Sequence, residues 1–141
     1  MTRAKIRESI FRILFRAEFT DPSGFIEQID MGIEDLSENI PEEDSADIDH
    51  IRNKLMLISE KLEGIDEIIE SHSDGWKLNR IGKAELAILR LSVFEMLYDD
   101  DIPVKVAINE AVELSKSYCD EEAKGFINAI LGKIERDDDV R

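Results

Sequence analysis

Residues 83–98 read KAELAILRLSVFEMLY, and this stretch decides the class of fold. Its apolar residues fall on nearly every side of a helix with 3.6 residues per turn. A helix that is apolar all round is buried among other elements. Arg90 and Glu95 interrupt the apolar pattern, and a charge buried in this way ordinarily has a structural partner. We therefore predict a central, buried helix that is surrounded by further helices.

The segments on both sides of this helix repeat apolar residues with helical spacing. Towards the C-terminus, we expect one helix to begin near Pro103 and a last helix to follow the acidic residues 120–122. Towards the N-terminus, residues 48–62 form an apolar stripe, and we expect Gly64 to end that helix before a short one begins. Two earlier stripes lie within residues 6–17 and 25–36. The pattern predicts an all-α fold, a compact bundle of about seven helices, with no strand.

The length of the chain, 141 residues, fits a single domain. We therefore predict one domain over residues 1–141, with turn-forming residues at 71–75 and a tail at 137–141. No apolar run approaches the ~20 residues that span a bilayer, and the N-terminus does not read as a secretory signal. A single cysteine, Cys119, fits a reducing compartment. These features predict a cytoplasmic protein without membrane contact.

Charge is distributed unevenly along the chain, whose formal net charge is −15. Residues 1–19 carry five basic and two acidic groups, a net charge of +3, whereas residues 20–75 carry a net charge of −14. A local patch acts within a Debye length of ~8 Å whatever the total charge. The basic first helix is therefore either a solvated face that favours solubility or a surface for phosphate groups.

Neither histidine belongs to a catalytic or metal-binding pattern. His50 follows Asp47 at a spacing of three, but a di-iron helical bundle needs two such pairs and two further carboxylates. His72 lies in a turn without a nucleophile arrangement, and the chain has no glycine-rich phosphate loop. We therefore predict that the protein is not an enzyme, that it uses no cofactor and no metal ion, and that it works by binding partners.

Three blocks in the second half of the chain are the most distinctive part of the sequence. They read AILRLSVFEML at 87–97, DIPVKVAINEAVELSK at 101–116 and FINAIL at 126–131. In order and spacing they resemble the NusB family of transcription antitermination factors, and residues 3–17 are similar to the start of that family. The resemblance implies an all-helical fold of two subdomains, approximately 1–72 and 73–136, and a role in processive transcription of ribosomal RNA operons. It also implies binding to boxA-type RNA together with the ribosomal protein NusE, within an RNA polymerase antitermination complex.

The resemblance further implies which residues meet these partners. The arginine-rich start of the family lies on RNA, and Arg3, Lys5 and Arg7 occupy that segment here, while Lys124 and Phe126 match a second RNA-facing segment. Phe15 and Glu85 match positions that face NusE. Phe126 is equally well explained as a core residue, because its neighbours in the last helix are apolar. Phe15, with Phe11, forms an apolar edge beside the main stripe of the first helix, which fits either core packing or a partner surface.

One alternative to this function stays open. A chain this acidic, with few basic residues at its start, is also typical of a helical protein–protein adaptor or a homodimer whose RNA binding is weak or lost. NusB-like domains also occur fused to RNA methyltransferases, but this chain has no cofactor-binding segment of its own. Binding to RNA in the presence of NusE distinguishes the first two hypotheses.

Overall fold

The computed structural model describes residues 1–137, apart from the Pro22 side chain, and all of its regular structure is helical. Three one-turn 3-10 helices connect longer helices, at Pro22–Gly24, Glu42–Asp44 and Leu78–Arg80. The described part of the chain contains no strand, so the predicted all-α class is confirmed. Of the predicted tail, residues 138–141 lie outside the described residues. The α-helices are α1 (Arg3–Ala17), α2 (Phe25–Glu38), α3 (Ser45–Ser71), α4 (Lys83–Tyr98), α5 (Val104–Tyr118) and α6 (Ala123–Asp137).

Helix α3 runs through Gly64, where the sequence predicted a break, and that prediction is wrong. A glycine in a helix costs only about 1 kcal/mol relative to alanine. Ile65 and Ile69 lie beyond Gly64 and are fully buried, so the apolar stripe continues in phase and offsets that cost. The expected short helix is therefore the last part of α3. This merger leaves six α-helices within residues 1–137, one fewer than the roughly seven expected.

The described chain forms two compact units, Met1–Glu60 and the residues from Lys61 onward. In the first unit, α1 packs against α2 through a close approach at Gly32. A Cβ atom at Gly32 would lie 2.9 Å from Cγ1 of Ile13, so glycine is required to bring the two helices this near. Arg16 ties the same pair of helices together, since its guanidinium donates to Asp35 Oδ2 at 2.6 Å. The predicted subdomain limit at 72–73 follows the end of α3 and stays a prediction.

In the second unit, α4 is the central helix that its sequence predicts, because every residue from Leu86 to Met96 is buried. Helices α5 and α6 both pack against it. The buried Arg90 has a partner: its Nε and Nη2 donate to Oδ1 and Oδ2 of Asp66 at 2.9 and 2.8 Å. Helix α5 begins directly after Pro103, as expected. Asp120 precedes α6, and its Oδ1 accepts from the backbone N–H of Ala123 at 3.1 Å, which caps that helix.

The described residues also bear on membrane spans and metal sites. None of the helices within residues 1–137 is both long and apolar enough to cross a membrane. Across the same residues, no three histidine, cysteine or acidic side chains converge as a metal site would require. Asp47, which the sequence pairs with His50 by spacing, instead accepts from the amino group of Met1 at 2.8 Å.

Candidate nucleic-acid interface

The start of α1 is fixed in place by its own cap and by α3. The backbone N–H of Lys5 donates to Oγ1 of Thr2 at 3.1 Å, which makes Thr2 the N-cap. The amino group of Met1 donates to Asp47 at 2.8 Å and to Asp44 at 3.4 Å. The hydrogen bond to Asp47 is the main reason why the pKa of that amino group is raised. The first turn of the basic helix therefore has a defined position in the first unit.

The three basic residues predicted to meet RNA do not share one side of α1. Residues two apart on an α-helix point about 200° apart, whereas residues four apart lie on the same side. Arg3 and Arg7 are therefore neighbours, with Arg3 exposed and Arg7 half-buried, while Lys5 points away from both. The structure brings two of the three predicted cations together and separates the third.

Lys5 lies instead along a groove of about 380 Å³ between α1 and α2. Arg12 and Arg16 line the same groove, but both are engaged: Arg12 lies 3.8 Å from Glu8, and Arg16 binds Asp35. The side chain of Lys5 makes no ion pair with any residue from 1 to 137. Lys5 is therefore the one cation of this groove that is available to an external anion.

Phe15 stands in the middle of a ladder of three aromatic rings along α1. The Phe11 ring is fully buried and stacks on the Phe15 ring, with centroids 5.7 Å apart. Phe19, just after α1, meets Phe15 edge-on at 5.3 Å and is 64% exposed. The sequence left open whether this aromatic edge is core or a partner surface. Phe11 is core, whereas the half-buried Phe15 also has surface that a partner can cover.

In the second unit, Glu85 and Phe126 line the same hollow of about 280 Å³. Glu85 lies in the first turn of α4, and its carboxylate folds back over Gly82, occupying the space that a side chain at that position would fill. Burial raises the pKa of Cys119 to about 12, and the nearby carboxylate of Glu85 adds to this rise, so the thiol stays protonated. Phe126 is half-buried, which leaves part of its ring facing the hollow.

Lys124 does not accompany Phe126, although the two are close in sequence. The two residues are two positions apart on α6 and so point in nearly opposite directions. Lys124 is exposed and does not line the hollow. The basic side chain that does line it is Arg80, from the 3-10 turn before α4.

Trp76 and Arg80 are the residues of this surface that the sequence analysis did not assign to a site. Trp76 is 54% exposed and lines the hollow opposite α6. The available signal was an aromatic residue placed directly after a turn and followed by Lys77 and Arg80. An exposed aromatic ring among basic side chains is typical of surfaces that bind single-stranded nucleic acid.

Comparison with known proteins finds relatives along almost the whole chain. A sequence profile described as the NusB family matches residues 4–136. The transcription antitermination protein NusB of Lachnoclostridium phytofermentans is 46% identical over 134 residues, covering 95% of this chain and 98% of that protein. Its counterpart from Acetivibrio thermocellus is 45% identical over 136 residues, covering 95% and 88%.

Two solved structures share the fold. T. maritima NusB superposes with a TM-score of 0.82 at 31% identity, covering 97% of this chain and 92% of that chain. A chain from a complex of the antitermination factors NusB and NusE with dsRNA superposes with a TM-score of 0.77 at 27% identity, covering 96% and 98%. The agreement extends from α1 through α6, and the chain therefore belongs to the NusB family.

Proposed function

We propose that this protein is a transcription antitermination factor that binds boxA-type RNA together with NusE and supports processive transcription of ribosomal RNA operons. The observation that carries the proposal is the 46% identity, over 95% of the chain, to a transcription antitermination protein NusB. The related fold in a complex of NusB, NusE and dsRNA supports the choice of partners. In this role the protein acts in the cytoplasm within the RNA polymerase antitermination complex, and it contributes binding and not catalysis.

Arg3, Lys5 and Arg7 on α1, with Lys124 and Phe126 on α6, are the proposed RNA contacts. Arg3 and Lys5 are exposed and make no ion pair with residues 1–137, so their charges are available to phosphate. Because Arg3 and Arg7 lie on one side of α1 and Lys5 on another, they contact different phosphates. The partly exposed ring of Phe126 offers a stacking surface for a base.

Phe15 and Glu85 are the proposed NusE contacts. The Phe15 ring is held between Phe11 and Phe19, so little side-chain freedom is lost when a partner covers it. Glu85 is half-buried in the first turn of α4, and its carboxylate has lone pairs to accept a donor from a partner.

A binding titration across a salt series tests this function. Labelled boxA-type RNA is titrated with the full chain, alone and in the presence of NusE, with anisotropy as the readout. We expect tighter binding with NusE. Arg3→Ala should make the negative slope of log K against log salt shallower by about 0.7 to 0.9, because one phosphate contact is lost. Arg52→Ala, which removes an exposed arginine from α3, is the matched control and should leave the slope unchanged.

The alternative, an adaptor or homodimer with weak or lost RNA binding, is favoured by the net charge of −15 and by the exposed ring of Phe19. It predicts self-association in sedimentation equilibrium that Phe19→Ser weakens. Absence of RNA binding by the wild-type chain with saturating NusE would rule out the antitermination role in favour of this one.

A further inference from the structure

Trp76 is the only tryptophan of the chain, and 54% of its surface is exposed. A tryptophan is among the most apolar of large side chains, so its exposure on a rigid element is typical of a binding surface. Trp76 lies between α3 and α4 in the second unit, outside the residues that the family resemblance assigns to RNA or to NusE.

The turn that carries Trp76 is held by backbone geometry and hydrogen bonds. Asp74 and Gly75 both have positive φ angles, of 53° and 86°, which form a tight turn. The backbone N–H of Trp76 donates to the carbonyl oxygen of Ser73 at 3.1 Å. The Ser73 hydroxyl is nearly fully buried and lies within hydrogen-bonding distance of the carbonyl oxygens of Glu70 and Trp76. The indole is thus presented by a pre-organised backbone, which lowers the entropy cost of binding.

Two basic side chains flank the indole. Lys77 and Arg80 are exposed, and neither makes an ion pair with any residue within 1–137. The nearby Asp74 is neutralised by Lys133, whose Nζ lies 2.6 Å from Oδ1 of Asp74. Glu70 is the other acid at this turn, and its carboxylate accepts from the backbone N–H of Leu78 at 2.7 Å. With two cations against one carboxylate, this side of Trp76 keeps an excess of positive charge, which attracts phosphate.

Trp76 and Arg80 form a ridge between two hollows, and both residues line each hollow. One, of about 340 Å³, is completed by Lys77 and the turn, and the other, of about 280 Å³, reaches Phe126. Each is large enough for a nucleobase. Flat indole and guanidinium groups are the surfaces on which unstacked RNA bases rest.

Acidic groups on the Phe126 side decide which part of a nucleotide fits there. Glu85, Asp120 and Glu122 line that hollow, and their charges repel phosphate. Carboxylate oxygens accept hydrogen bonds from the amino groups of bases, so this hollow suits a base. The phosphates of the same strand would then follow the Lys77 side.

We propose that Trp76 and Arg80 form a stacking site for an unpaired base of single-stranded RNA, beside Phe126, with Lys77 as a phosphate contact. This inference rests on the proposed RNA-binding function and adds a site to it. It also assigns to Arg80 the position beside Phe126 that Lys124 does not occupy.

The single tryptophan supplies a direct test, because stacking of a base on an indole quenches its fluorescence. Labelled boxA-type RNA is titrated with the full chain in the presence of NusE, and anisotropy and tryptophan emission are recorded together. The Trp76→Phe variant in the same complex is the blank for any emission from NusE. We expect quenching of Trp76 that follows the anisotropy curve.

Affinity measurements on variants complete the test. Trp76→Ala should weaken RNA binding by about 5- to 100-fold, and Trp76→Phe by less, because one stacked base contributes roughly that much. Tyr98→Ala, which removes another exposed aromatic ring of the second unit, is the matched control and should change affinity less than about twofold. Far-UV circular dichroism of each variant checks that the helices are intact.

The outcomes separate the new site from the proposed function. RNA binding without quenching, and with unchanged affinity in Trp76→Ala, would overturn the stacking site and leave RNA binding intact. Weaker binding of NusE to Trp76→Ala in the absence of RNA would assign the ridge to a protein partner and overturn the inference as well. A wild-type chain that binds no RNA with NusE would remove the function on which both rest.

Discussion

Removing Asp66 should destabilise the second unit strongly, because it takes away the carboxylate that binds two nitrogens of the buried Arg90 guanidinium. The side chains of Arg90 and Asp66 are only 10% and 20% exposed, and two charge-assisted hydrogen bonds join them. Breaking a buried pair by deleting one partner costs about 3–5 kcal/mol. Since Asp66 retains some contact with water, we expect the lower end, about 3 kcal/mol for Asp66→Ala.

Urea unfolding, followed by circular dichroism, measures this loss. With a slope of about 1.5 kcal/mol per molar urea, 3 kcal/mol lowers the midpoint by about 2 M. Asp49→Ala is the matched control, because Asp49 is exposed and its ion pair with the exposed Arg52 spans one helical turn. That control should change the free energy of unfolding by less than about 0.5 kcal/mol.

A double variant separates the cost of removing one partner from the value of the pair itself. Asp66→Ala combined with Arg90→Met removes both charges and leaves an apolar side chain in place of the arginine. A buried ion pair replaced by apolar groups is often close to neutral, so the double variant should recover part of the stability lost in Asp66→Ala. If the double variant is as unstable as the single one, or if Asp66→Ala costs under about 1 kcal/mol, the reasoning from the lost Asp66 carboxylate is wrong.

Three further predictions concern other parts of the molecule. Gly32→Ala should destabilise the protein by about 1–2 kcal/mol in urea unfolding, because its Cβ would crowd Ile13, and the same substitution should cost less in an Ile13→Ala background that lacks the crowding atoms. Cys119, with a pKa of about 12 against an ordinary 9.0, should react with iodoacetamide at pH 8 about a thousandfold more slowly than a free thiol. Glu85→Gln should speed this reaction, because the carboxylate adds to the rise of the pKa, and alkylation of the wild-type thiol at the free-thiol rate would contradict the raised pKa. Asp120→Ala, which removes the cap of α6, should lower the free energy of unfolding by about 1 kcal/mol, whereas Asp120→Asn should retain most of it.

The sequence predicted the class of fold because a helix that is apolar on all sides, as α4 is, has to be surrounded by other elements. Residues from Leu86 to Met96 are buried on all sides, as their all-round apolar character requires. The start of α5 was equally visible, since Pro103 fixes where that helix begins. The predicted helix break at Gly64 was wrong because the low helix propensity of glycine is a local cost, whereas the burial of Ile65 and Ile69 depends on distant parts of the chain.

How the candidate site residues are grouped in space could not be predicted from their order along the chain, because neighbours in sequence point to different sides of a helix. Arg3 and Lys5 illustrate this, and so do Lys124 and Phe126: each pair is two positions apart on a helix and points in different directions. The sequence predicts a turn at 71–75, but the exposure of Trp76 after it depends on how the surrounding elements pack, which no local pattern reveals.

The turn that presents Trp76 makes the choice of side chain at that position independent of folding. All of the hydrogen bonds that the turn makes to residue 76 use its main-chain N–H and carbonyl groups. Any residue except proline can supply these groups, so the indole is replaceable without dismantling the turn. The side chain at position 76 can therefore change in evolution without a cost to the fold of the turn. Substitutions there can alter what this surface binds while the backbone that holds the residue stays the same.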